Sequence, residues 1–330
     1  MNNPKVSVII PVYNRPDEVD ELLQSLTRQS FKDFEVIVVE DGSSIPCKPV
    51  TEKYQELLDV HYYDKPNSGP GQTRNYGAER SKGEYLIILD SDCILPEGYF
   101  LAVEEELQHE AADAFGGPDR AHESFTDIQK AINYSMTSFF TTGGIRGGKK
   151  KMDKFYPRSF NMGVRREVYQ ALGGFSRMRF GEDIDFSIRI FKGGYTCRLF
   201  PGAWVYHKRR TDFRKFFKQV HNSGIARINL YKKYPESLKL VHLLPAAFTL
   251  GVAIFLLGTP FCPSLFMRFW YAWTPLSGTV ASASGSTPSP PPSSSSSDTG
   301  RGSCAPGGTA AYLARTSSRR SKRTFTNKED

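Results

Sequence analysis

The sequence is poor in cysteine: five in 330 residues, at positions 47, 93, 197, 262 and 304, with no CxxC pair. That argues against a disulfide framework or a zinc site at motif spacing and fits reduced thiols in a cytosolic domain. The phosphate-loop pattern, GxxxxGK followed by Ser or Thr, is absent, which argues against the nucleotide-hydrolysing proteins that carry it. No signal peptide is visible, because the apolar run at residues 6–12 is too short and reads as a strand. The net charge of +8 is unevenly placed. Eight Lys and Arg against three Asp and Glu follow Pro263, which leaves only +3 for the first 263 residues. Such a balance is poor evidence for a nucleic-acid partner, and none is expected.

What is present is a chain that can bury a core, with 39% hydrophobic and 13% aromatic residues. Residues 6–13, 34–39, 60–63 and 85–89 are short β-branched or apolar runs that read as buried strands. Helical spacing of apolar residues lies between them, as at Val19, Leu22, Leu23 and Leu26. Residues 51–58 are expected to be helical, as are residues from Pro96 to about 109. Strands alternating with helices imply a mostly parallel sheet with functional groups at strand C-termini. The pattern weakens over 114–160, where 143–151 is a Gly- and Lys-rich loop. Further on, helices are expected near 166–172, after Gly181 and over 211–234, and 197–206 reads as one strand.

Three clusters sit at the expected strand ends. Asp90 and Asp92, one residue apart, could share Mg²⁺ or Mn²⁺ with substrate phosphates, since hard cations want oxygen ligands; a strand-ending turn explains them equally. Glu40 and Asp41 could accept bonds from ribose or a base, or simply make a turn. Residues 67–77 form a Gly-rich loop running into a helix, where Arg74 could reach a phosphate. Glu182 and Asp183 open another helix, as helix caps or as a general base that takes an acceptor's proton. His207, at a strand end, is either structural or a further metal ligand.

Taken in order, these motifs resemble the family 2 glycosyltransferases of the GT-A fold, in their membrane-anchored bacterial form. The matching residues are 6–14, Val39 to Ser43, Asn67 and Gly69 with Arg74, Asn75 and Gly77, Gly83 to Tyr85, Asp90 to Asp92, Asn161 to Gly163, Gly173 to Phe175 and Gly181 to Asp183. The likeness runs from residue 5 to about 235. It implies a catalytic domain of α/β class that moves a sugar from a nucleotide-sugar, by default a UDP-sugar, to a glycan or lipid-linked acceptor. Pro11, Tyr13, Asp41, Arg74 and Asp90 would bind the nucleotide, and Asp92 with His207 would hold a divalent metal. Asp183 would be the base of an inverting hexosyl transfer, with Glu182 helping to hold the acceptor. Asn161, Met162 and Gly163 would shape the sugar and acceptor pocket. Glu40 and Thr73 depart from the commoner Asp and Ala. A QxxRW signature is absent, which favours transfer of a single sugar. A sugar nucleotidyltransferase would want a Gly- and Arg- or Lys-rich stretch after the first strand, where residues 14–18 stand instead. A silent membrane-bound nucleotide-sugar-binding protein is the other alternative.

The domain boundaries follow from composition. Residues 1–210 form the catalytic domain and 211–242 a basic amphipathic juxtamembrane helix. Residues 243–262 are 20 without charge, about the length that spans a bilayer. The Lys and Arg upstream place the catalytic domain on the cytoplasmic side of the inner membrane, with membrane lipid a partner. From 264 to 330 Ser, Pro, Gly and Arg dominate, so a disordered tail is expected. A shifted reading frame would account for it, because a run of CTC leucine codons read one base later gives TCC serine codons.

Overall fold

The computed structural model describes residues 3–137 and 155–258. The strands are β1 (Val6–Val12), β2 (Phe34–Asp41), β3 (Val60–Lys65), β4 (Tyr85–Leu89), β5 (Cys93–Ile94), β6 (Ala114–Gly116), β7 (Asp119–Arg120), β8 (Asn161–Arg165), β9 (Cys197–Leu199) and β10 (Val205–His207). The helices are α1 (Pro16–Thr27), α2 (Lys48–Glu52), α3 (Pro70–Arg80), α4 (Tyr99–His109), α5 (Asp127–Thr137), α6 (Arg166–Ala171), α7 (Glu182–Lys192), α8 (Phe213–Lys233) and α9 (Leu244–Gly258). A seven-stranded sheet has the order β3-β2-β1-β4-β8-β6-β9. Pairing is parallel from β3 to β4 and between β6 and β9, while β8 runs antiparallel to both neighbours. The expected mostly parallel α/β sheet is therefore present, and β1, β2 and β4 end on the same edge.

Both faces of this sheet are covered, which is why its strands read as unbroken apolar runs. Val8, Ile10 and Val12 point into one core with Leu22, Leu23 and Leu26 of α1. Ile9, Ile37 and Ile88 point into the other with Phe175, Phe186 and Ile190. Helix α3 lies close on that second face because residue 77 has no side chain. A Cβ there would stand 2.8 Å from Ile9 Cγ2.

A small second sheet, β5-β10-β7, begins just beyond Asp92. Its antiparallel register sets His207 opposite Cys93, and Lys208 N donates to Asp92 O at 3.0 Å. This corrects the expectation of one strand over 197–206. Pro201 and Gly202 make a turn, so β9 stays in the large sheet while β10 leaves it. The helix expected over 51–58 is instead the short α2 followed by turns.

Of the expected membrane span, residues 243–258 are described, Leu244–Gly258 as α9. Among the described residues no helix is long and apolar enough to cross a membrane. The rest of that span, the 143–151 loop and the 264–330 tail lie outside the described residues. Contacts divide the chain at Ala253, and only 254–258 of the second unit are described.

Within β8, Asn161 is a buried polar tie. Its Oδ1 accepts from Tyr99 Oη at 2.6 Å and its Nδ2 donates to Ala203 O at 2.8 Å. Asn161→Ala orphans both partners, each at a cost of about 1–3 kcal/mol. Urea unfolding should register a loss of about 2–6 kcal/mol; a variant as stable as the parent would contradict this role.

Candidate active site

The polar edge of the sheet opens into a cleft of about 1440 Å³. The loops after β1 and β2 are tied together at its mouth. Asn14 has a left-handed backbone, φ 54°, a conformation that Asn tolerates better than most residues. Its N–H donates to Ser43 Oγ at 2.7 Å, and its Oδ1 accepts from Ile45 N at 3.0 Å. Glu40 braces the same turn, accepting from Ser43 Oγ and from Cys47 N. Pro11 and the half-exposed Tyr13 line the cleft beside it.

Asp41, the last residue of β2, accepts from Ser68 N at 2.9 Å, from Gly69 N at 3.0 Å and from Lys65 Nζ. Gly69 sits at φ 89°, a conformation open to glycine at no steric cost. Burial pushes the Asp41 carboxyl up, but Lys65, the Ser68 amide and Thr73 outweigh it and hold the group below the usual range. A carboxylate so engaged fixes the Gly-rich loop over the cleft as well as facing it.

Asp92 lies deeper, between Arg15 and His207. Its Oδ2 accepts from Arg15 Nη1 at 2.9 Å, and His207 Nε2 stands 3.2 Å from its Oδ1. Burial raises this carboxyl too, but His207, Arg15 and Arg210 overcome the effect and hold it well below the usual carboxylate range. Asp92 Oδ1 and His207 Nδ1 are buried without a directed hydrogen bond among the described residues. An orphaned carboxylate oxygen beside an imidazole suits a divalent cation of the Mn²⁺ or Mg²⁺ type. Asp92, Cys93 and His207 could reach one ion. Cys93 fits poorly, since its thiol donates to Phe160 O at 3.3 Å and burial pushes its pKa well up.

The third element is the first turn of α7. Arg74, from α3, is buried and holds two acids at once: Nη2 donates to Asp90 Oδ1 at 2.8 Å and Nη1 to Glu182 Oε1 at 3.0 Å. Asp183 accepts from Arg158 Nε at 2.7 Å and from the Ile184 amide at 2.8 Å. The neighbouring acids are pushed apart. Burial, with Asp183 beside it, raises Glu182 despite Arg74. For Asp183 burial also acts upward, but Arg158, Arg74 and the Ile184 amide lower it.

Pro11, Tyr13, Asp41, Arg74, Asp90, Asp92, Glu182 and Asp183 therefore line one cleft, with His207 against Asp92. Asn161, Met162 and Gly163 do not line it, and their expected place in a pocket wall is corrected. They are buried in β8; Met162 is in the core, and a Cβ on Gly163 would stand 2.0 Å from the Phe115 ring. Arg74 departs from expectation as well, since both Nη atoms are engaged by acids and phosphate contact is not their present use. Several cleft residues were missed in the sequence. Arg15 and Lys65 follow the strand-end rule and could have been found by it. Arg158 stands in the stretch without clear pattern, and Lys215, Lys218 and Arg227 read only as helix charge. Ten Lys and Arg line the cleft against six Asp and Glu, so it is built for anions.

A family model described as Glycosyl transferase family 2 matches residues 7–173. A Campylobacter jejuni protein, GalNAc(5)-diNAcBac-PP-undecaprenol beta-1,3-glucosyltransferase, is 34% identical over 116 residues, covering 34% of this chain and 38% of its own. The chain spans 23% of a Rickettsia felis uncharacterized glycosyltransferase, at 30% identity over 141 residues and 43% of this chain. Among solved structures, the mannosyltransferase PcManGT of Pyrobaculum calidifontis, in complex with GDP-Man and Mn²⁺, aligns with TM-score 0.54 and 18% identity. It covers 72% of this chain and 66% of its own. Its likeness, at that identity, is one of fold.

The Arg158 pair gives a test of the site's electrostatics. Asp183 has a folded pKa below its unfolded value near 3.9, so its contribution to stability is present above that value and is lost as pH falls through the folded pKa. Arg158→Gln should cost about 1–2 kcal/mol at pH 7, the guanidinium being a third exposed. The difference from the parent should shrink as pH falls below about 4. Urea unfolding at pH 7 and pH 3 measures it; a gap that grows toward acid would contradict the assignment.

Proposed function

The chain belongs to glycosyltransferase family 2, and from that premise we propose that it is an inverting hexosyltransferase. It takes the sugar from a nucleotide-diphospho-sugar, UDP-linked by preference, and passes it to a hydroxyl of a glycan or lipid-linked acceptor. The observation that carries the reading is the convergence on one cleft of Asp41, Asp92 and Asp183, each on a different element and each held ionised by its neighbours. The lipid-linked acceptor named for the Campylobacter relative and the nucleotide-sugar in the Pyrobaculum complex support it.

In this mechanism Pro11, Tyr13 and Asp41 receive the base and ribose, with Asp90 toward the ribose. Asp92 and His207 would hold a divalent cation, Mg²⁺ or Mn²⁺. When bound, such a cation neutralises charge on the departing diphosphate. Asp183 accepts the proton of the acceptor hydroxyl as its oxygen bonds to the anomeric carbon. The bond to the diphosphate oxygen breaks, and the nucleoside diphosphate leaves with the electron pair. One carboxylate base supports one displacement, so the anomeric configuration inverts. Glu182 stands beside the base and helps to hold the acceptor. Arg158 orients the Asp183 carboxylate, and must share it with the incoming hydroxyl. We place the protein on the inner membrane through residues 243–262, with the catalytic domain facing the cytoplasm. The uncharged run and the basic residues before it support that reading.

Asp183→Asn keeps the shape but cannot take a proton. Turnover of radiolabelled nucleotide-sugar should fall about 10²–10⁴-fold while donor binding survives; near-normal turnover by a folded variant would remove Asp183 from the role of base. Chelation with EDTA should stop transfer, and Mn²⁺ or Mg²⁺ should restore it. Full activity after exhaustive chelation, or in Asp92→Asn, would remove the cation from the reaction.

A further inference from the structure

Helix α8 has two faces of opposite character. Over 21 residues it carries Arg214, Lys215, Lys218, Arg227, Lys232 and Lys233 and not one Asp or Glu. Its inner face belongs to the catalytic cleft. Gln219, Asn222 and Arg227 line the cleft, while Ala226 and Leu230 are buried. These two pack on Gly181, whose missing Cβ would stand 3.1 Å from that of Ala226. The helix is thus fastened two residues ahead of the proposed base.

The outer face is apolar and uncovered. Phe213, Phe217, Val220, Ile228 and Tyr231 recur at helical spacing, and all are exposed, Phe217 at 72%. On a 3.6-residue helix they fall within about 80° of one another, a single seam on the side away from Ala226 and Leu230. Arg214 and Lys232 lie together along one edge of the seam. Seating such a helix against protein would leave its cations to be matched by acids. A bilayer surface containing anionic lipid matches both features, apolar seam and flanking charge, without further contacts. Ten residues beyond α8 the chain enters the apolar α9, where Leu244, Phe248 and Leu250 are also exposed.

We propose that the outer face of α8 is a docking surface for an anionic bilayer, with Phe213, Phe217, Val220, Ile228 and Tyr231 seated among the lipid headgroups and acyl ends. This rests on the membrane reading above and deepens it. Because the inner face of the same helix walls the cleft, docking brings the acceptor side of the cleft to headgroup level. An acceptor whose hydroxyl sits on a lipid-linked sugar can then reach Asp183 without leaving the membrane. Orientation comes from α8, whatever residues 243–262 add as an anchor.

The test uses the full chain on vesicles of phosphatidylcholine with and without phosphatidylglycerol. Photoreactive p-benzoylphenylalanine in place of Phe217 or Val220 should cross-link to tritiated phosphatidylglycerol. In place of Asn222, on the cleft face, it should not. Arg214→Gln with Lys232→Gln should lower partition onto anionic vesicles about tenfold or more and leave partition onto neutral ones little changed. A chain that sediments with vesicles but shows no lipid cross-link at 217 or 220 overturns this proposal alone. Cross-links from 217 to a second copy of the chain overturn it in favour of a dimer face. A chain that does not sediment with vesicles overturns both this proposal and the membrane reading, and leaves the transfer chemistry to be judged by turnover.

Discussion

One buried guanidinium organises the catalytic edge of this protein. Arg74 is 3% exposed and lies over the ring of Phe175, 5.3 Å from its centroid. From α3 it reaches Asp90, just past the end of β4, and Glu182, at the start of α7. A charge buried this deeply is tolerated only when it is paired, and removing a partner leaves a lone charge at a cost of several kcal/mol. The three elements are thus held in one arrangement by electrostatic necessity. Their loops differ in length and sequence, yet the acids they carry meet on the same cleft.

The same guanidinium divides the labour between the two acids of α7. Both sit in a helix first turn, where the dipole favours negative charge. Burial penalises each, but Glu182 faces a like charge and shares Arg74 with Asp90. Asp183 has Arg158 and a backbone amide largely to itself. Their pKa values move in opposite directions for that reason. A pair of acids separated in this way is the usual physical basis for giving two carboxyl groups different tasks. Asp183, whose neighbours favour its anion, is the member suited to take a proton.

How far this was legible in the sequence depended on the range of each interaction. A buried parallel strand announces itself by unbroken apolar residues, and the sheet puts all such strand ends on one edge. Asp41, Asp90 and Asp92 could therefore be placed in a common site before any coordinates. Glu182 and Asp183 were found by position after a glycine at a helix start. Arg158 could not be found in this way, because its bond to Asp183 crosses 25 residues with no local pattern at either side. Asn161 to Gly163 were misplaced because a short motif carries no sign of which way its side chains point. The strand expected over 197–206 was broken by Pro201 and Gly202, and the turn they make is what lets β10 set His207 beside Asp92.

Charge links the cleft to the helix that walls it. A nucleoside diphosphate brings negative charge, and the leaving group holds more of it as the sugar bond breaks. Asp92 adds to that burden rather than relieving it, since its own carboxylate is ionised and buried. Arg15 balances Asp92, with the His207 ring beside it, and α8 presents Lys215, Lys218 and Arg227 to the cleft. In the proposed reaction Lys215, Lys218 and Arg227 would add to the divalent cation's charge against the diphosphate. The arrangement places a demand on α8: a helix with six cations and no acid repels itself unless its charges meet anions. Asp185 meets Lys233 and Asp212 meets Lys215, substrate phosphates can meet Lys218 and Arg227, and Arg214 and Lys232, beside the apolar seam, call for a different counterpart. The anionic bilayer proposed above would accept Phe213 and Phe217 and supply that counterpart, so that on this proposal the charge that meets the donor and the charge that meets the membrane reside on one helix without competing.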